Sequence, residues 1–137
     1  MMKSALFGAA ALALTVTAAA GAESIYSANS VMPGCRNALK LIGSHDNDLI
    51  QGFCLGTVAA IAGMGGSIAH SLRRIPEPDS LLGPVLRELL CVDIPSEVTL
   101  GQEVRVVVAY TETRPGRMQE DFNTLALEAL RTAWPCR

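Results

Sequence analysis

Residues 49–73 read LIQGFCLGTVAAIAGMGGSIAHSLR, and from Leu49 to Leu72 the run carries no formal charge when His70 is neutral. Gly52, Gly56, Ala59, Gly63 and Gly66 recur in it at alternating steps of four and three. At about 100° per residue they fall on one narrow stripe of a helix. Phe53, Val58, Ile61, Met64, Ile68 and Leu72 project from the broadly opposite side. Interior glycines cost about 1 kcal/mol each relative to alanine, so packing has to offset them. A helix with one smooth and one bulky face can press its backbone against a neighbour while filling a core on the other side. The segment is also long enough to span a bilayer, small-xxx-small spacing recurs in it, and Arg73-Arg74 flank it. Cys54 argues for the other reading, the buried central helix of a bundle. A membrane-embedded cysteine could not easily bridge to the remaining cysteines of an exported chain.

Export is expected from the N-terminus. Lys3 supplies a positive start, Ala5 to Val16 forms an apolar run, and Ala20-Gly21-Ala22 fits an A-x-A cleavage site before Glu23. The apolar run is short against the about 20 residues a bilayer needs. Residues 1–22 therefore read as a signal peptide, leaving a single domain of 115 residues, 23–137. In it, Ser30 is a candidate cap and Pro33 a first-turn proline for a helix over Val31 to Leu41, which Gly43 stops. Ser44 to Asp48 reads as a turn.

On the C-terminal side of the central helix, Ile75-Pro76-Glu77-Pro78-Asp79 is a linker. Leu81 to Leu90 holds one or two helical turns beginning near Pro84. Thr99-Leu100-Gly101-Gln102 is a capping box, and Val104, Val107, Val108 and Thr111 then follow helical spacing, with Glu103, Arg105 and Glu112 off that face. The run Val104 to Val108 is rich enough in β-branched residues for a strand, but cap and period favour helix. Arg114-Pro115-Gly116 ends it. Asp121 caps a last helix whose stripe is Phe122, Leu125, Ala126, Ala129, Leu130 and Ala133, with Glu128 and Arg131 as an i,i+3 pair. The expected architecture is all-α: a small disulfide-stapled bundle of four to five helices around one long glycine- and alanine-rich helix.

Without Lys3 the chain holds ten basic and 13 acidic residues, and its longest basic run is Arg73-Arg74. That excludes the basic face of a nucleic-acid binder. Cys35, Cys54, Cys91 and Cys136 are an even set with no C-x-x-C spacing, which reads as two structural disulfides in an exported domain. Three pairings are open on spacing alone. His45 beside Asp46 and Asp48 reads as a hydrated turn rather than a metal site, since zinc needs three or four suitable ligands. His70, on the small-residue face near a helix end, reads as a partly buried, hydrogen-bonded residue or as a favourable contact with the helix dipole. No nucleophile elbow, zinc helix or phosphate loop is present in the sequence. No catalytic residue, metal or cofactor is expected, and the enzyme class falls away in favour of a binding or protective module.

From Cys35 onward the chain resembles the Rap/Tai family of periplasmic immunity proteins. The resemblance rests on Cys35-Arg36-Asn37-Ala38-Leu39, on Phe53-Cys54-Leu55-Gly56, on Val98-Thr99-Leu100-Gly101-Gln102 running into Val106-Val107-Val108-Ala109-Tyr110, and on Leu127-Glu128-Ala129-Leu130 followed by Trp134-Pro135-Cys136. It implies an all-helical, often homodimeric periplasmic protein that occludes a cell-wall amidase delivered by type VI secretion. It also implies the disulfides Cys35–Cys54 and Cys91–Cys136. The longer, proline-rich stretch from Ile75 to Leu90 departs from the compact family pattern.

Candidates for partner contact are the turn from Arg114 to Asp121, with Arg114, Arg117 and Glu120 foremost, and the loop from Glu77 to Ser80; plain solvated connection is the competing reading of both. Gly52, Gly56, Ala59, Gly63 and Gly66 form a candidate packing or dimer seam. A second function class is a general periplasmic stress, chaperone-like or scaffold protein of the same fold, which would bind many unfolded clients and no single toxin. After signal cleavage neither membrane nor nucleic acid is an expected partner.

Overall fold

The computed structural model describes residues 24–40, 48–74 and 82–136. They form α1 (Ala28–Lys40), α2 (Asp48–Arg74), α3 (Leu82–Leu89), α4 (Leu100–Glu112), a 3-10 turn (Pro115–Arg117) and α5 (Phe122–Ala133). The fold is all-α, and the only β pairing among the described residues is two isolated bridges, Ser27 to Asp121 and Val92 to Pro135.

The first helix begins earlier than its sequence suggests. Ser27, not Ser30, caps it: the Ser30 N–H donates to Ser27 Oγ at 3.3 Å, and the Val31 N–H to the Ser27 carbonyl at 3.1 Å. Pro33 consequently sits inside the helix, where it forgoes the bond that an N–H would donate one turn back. The burial of Ala28, Val31, Met32 and Cys35 outweighs that loss. Ahead of α4, Thr99 and Gln102 close the expected reciprocal cap, with the Thr99 N–H donating to Gln102 Oε1 at 2.8 Å. Its stripe of Val104, Val107, Val108 and Thr111 is buried as its spacing predicts. In α5, Asp121 Oδ1 accepts from the Asn123 N–H at 2.9 Å, and Phe122, Leu125, Ala126, Ala129 and Leu130 enter the core. Ala133 is exposed at the last turn.

α2 differs from the expected buried centre. Only Cys54, Val58, Ile61, Gly65 and Ala69 are covered, a stripe in steps of four, three, four and four. Its most apolar window has a mean hydropathy of 1.5, with only 22% of that window buried. α1, α4 and α5 all lie against one side of it and leave the rest open. The helix is long and apolar enough to cross a membrane by length and composition, but Cys54 ties it to α1, and Cys54, Val58 and Ile61 of its covered stripe belong to the common core.

Two disulfides staple the bundle. Cys35–Cys54 joins α1 to α2, and Cys91–Cys136 joins the segment after α3 to the C-terminal end. Both pairings are those the resemblance implies. The second is reinforced by the Asp93 N–H donating to the Trp134 carbonyl at 3.0 Å. An Arg36–Glu112 ion pair (2.8 Å) links α1 to α4, and Arg73 grips both Asp93 carboxylate oxygens at 2.8–2.9 Å.

Candidate partner-binding surface

The turn carrying Arg114, Arg117 and Glu120 is an internal lock. The Arg114 guanidinium lies 3.6 Å from the centre of the Tyr110 ring and donates to the Tyr110 carbonyl at 2.8 Å. Arg117 donates to Glu120 at 2.6 and 2.7 Å and to Glu128 at 2.6 and 3.1 Å, and the Tyr110 hydroxyl adds a 3.1 Å bond to Glu128. The hydrogen bonds from Arg117 hold the Glu120 and Glu128 carboxyls below the ordinary value, and those carboxylates raise Arg117 in return. Glu128 thus bonds to Arg117, not to Arg131 as helical spacing suggested: a planar guanidinium in reach of two carboxylates makes several charge-assisted bonds, against the single exposed pair that Arg131 could offer. The ordered turn then holds the start of α1. The Ala28 N–H donates to the Glu120 carbonyl (3.0 Å), the Asn29 N–H to Met118 (2.9 Å), and the Phe122 N–H back to Tyr26 (2.8 Å). Its charges satisfy one another, so what it offers a partner is a rigid edge and little free charge.

The small-residue stripe of α2 faces outward. A Cβ added at Gly52, Gly56, Gly63 or Gly66 would meet nothing within 4 Å, so no contact among the described residues requires glycine there. Beside the stripe, Leu49 is 86% and Met64 47% exposed. At the N-terminal end this face runs into an apolar groove of about 460 Å³ lined by Ile25, Tyr26, Val31, Leu49, Ile50 and Phe53. Tyr26 and Phe53 pack there with their rings tilted, 5.5 Å between ring centres. Contiguous exposed apolar surface of this kind is a candidate interaction site. His70 is also exposed on α2, not partly buried: one-sided packing leaves its side of the helix uncovered.

Close backbone approach falls on two other glycines. At Gly34 an added Cβ would lie 2.5 Å from the Ile50 carbonyl carbon and 2.7 Å from the Gln51 nitrogen; at Gly65 it would lie 2.7 Å from Val92 Cβ. Gly65 could have been found from the i+4 steps joining it to Ile61 and Ala69. Gly34 sits one residue before Cys35, whose bond to Cys54 draws α1 onto α2. Glu103 was also missed. It is only 9% exposed, because α2 and the segment before α4 widen the covered arc of α4 beyond its valine stripe.

The turn holding His45 and Asp46, the loop from Glu77 to Ser80 and the expected signal peptide, residues 1–22, lie outside the described residues. Residues 27–136 match the family model described as Rap1a immunity proteins. No curated protein and no solved structure matches the chain.

Proposed function

The chain belongs to the Rap1a immunity protein family, and from that premise we propose that it occludes a cell-wall-cleaving amidase effector of type VI secretion in the periplasm. The family match carries the reading of an immunity protein that binds a secreted effector. Two disulfides support an oxidising compartment outside the cytoplasm, consistent with cleavage before Glu23. Inhibition here is steric. A small core locked by two disulfides and by the Arg117 bonds loses little conformational freedom on binding, and preorganisation of that kind is what a tight inhibitor needs.

We further propose a homodimer over the open face of α2. At 100° per residue Leu49, Ala60 and Met64 lie beside the small-residue stripe at Gly56, continuous with the Tyr26–Phe53 groove, and exposed glycines allow two helices to approach closely.

The test is capture from periplasmic and secreted fractions by the purified chain with both disulfides formed. One stoichiometric hydrolase, inactive while bound, is the expected result. Many weakly held clients would favour the general stress-protein reading, and no partner at all would remove the immunity reading.

A further inference from the structure

Between α2 and the segment leading into α4 lies a second groove, of about 370 Å³, whose walls include Ala59, Gly63 and Gly66 on one side and Ile94, Val98 and Leu100 on the other. Glu103 lines it as well. The residue is only 9% exposed, and its carboxylate has neither a hydrogen-bond nor an ion-pair partner among the described residues. No buried side-chain oxygen is sealed off without a partner, so the Glu103 carboxylate keeps an opening, and the groove is that opening. A carboxylate in an apolar-walled groove with no counter-ion beside it is costly, and its partial burial raises its pKa. The groove lining contains no lysine, arginine or histidine.

We propose that this groove receives a lysine or arginine side chain of the effector, whose cation pairs with Glu103 and whose methylene stem lies along the alanine, glycine and aliphatic walls. Both basic side chains bury their stems against apolar surface in this way. The absence of side chains at Gly63 and Gly66 gives the stem its room. A second copy of this chain is a poor source of the cation if it docks through α2, because that helix has no lysine or arginine between Leu49 and Leu72. The inference rests on the proposed immunity function only for the identity of the partner; the capacity of the groove for a cation is a property of this chain.

The full 137-residue sequence would be expressed, purified with both disulfides formed, and titrated with arginine amide, with glycine amide as control. NMR would follow the Glu103 carboxyl carbon and the Gly63 and Gly66 amides. The expected result is a saturable shift of these signals with arginine amide alone, lost in Glu103→Gln, whose retained melting transition shows that it folds. No shift overturns the proposal. So does a change of the Glu103 carboxyl signal with protein concentration in the absence of probe, which would make the occupant of the groove a second copy. With the hydrolase captured by the unmodified chain, Glu103→Gln should weaken binding about 30-fold or more, as expected for truncating one partner of a buried charge pair. Equal inhibition by both forms would leave the immunity function standing and sink the groove. A chain that captures and inhibits no hydrolase would remove the immunity function, and the arginine-amide titration then decides the groove alone.

Discussion

Gly34 and Gly52 are both helical glycines, and they stand in opposite situations. A methyl group at Gly34 would collide with the backbone of Ile50 and Gln51, which cannot step aside, whereas at Gly52 it meets open space. Gly34→Ala should therefore destabilise the fold by about 1–3 kcal/mol or more, and Gly52→Ala should stabilise it by up to about 1 kcal/mol through helix propensity. Urea unfolding at low protein concentration distinguishes them. Glu103 supplies a pH-dependent counterpart. Burial raises its folded-state pKa above the ordinary 4.5, so the native state carries a penalty once the group is ionised in both states. Glu103→Gln should melt higher than the unmodified chain at pH 7, and the gain should vanish as pH falls below about 4.5, where both states are protonated. The sequence left the small-residue stripe as a packing or dimer seam and set Glu103 off the valine face of α4, yet Glu103 is covered. Period tells which residues share a face, and only the arrangement of neighbours tells how wide an arc they cover.

α4 and α5 were the most legible elements, since each carries its own start signal and a stripe at clean helical spacing. The start of α1 was less so, because Ser27 and Ser30 are equally good caps and the choice is made by bonds to Glu120 and Met118, some 90 residues away in the chain. The turn that supplies those bonds depends on Arg117. Arg117→Ala should leave α4 and α5 folded while amide exchange at Ala28 and Asn29 quickens. Its effect should also depend on pH. Glu120 and Glu128 sit below the ordinary 4.5 when folded, so the stabilisation they lend is complete above that value and is lost as pH falls through their lowered folded-state values. The variant and the unmodified chain should accordingly converge in stability in acid. The disulfides act between elements. Cys35–Cys54 spans 19 residues and Cys91–Cys136 spans 45. Replacing either pair by serine should cost about 3 and about 4 kcal/mol respectively in a chain-entropy estimate, measured as lost unfolding free energy.

At the scale of the whole molecule, the all-α class and the two cysteine pairs were accessible before the structure, the pairs through the family resemblance. The one-sided burial of α2 was not: a glycine-rich apolar helix reads alike whether its second face meets the same chain or another molecule. That open face, with Leu49 and Met64 on it, sets the expectation for assembly. The unmodified chain should scatter light as a dimer, and Gly56→Leu should be a monomer that still melts cooperatively, since a Cβ at Gly56 meets none of the described residues within 4 Å. The central claim concerns inhibition, and it is tested most directly by titrating the captured cell-wall hydrolase with the purified chain while following peptidoglycan cleavage. The account predicts that activity falls linearly to zero at one equivalent of binding sites, and that an irrelevant disulfide-bonded helical protein has no effect. Full activity in the presence of excess chain would contradict it.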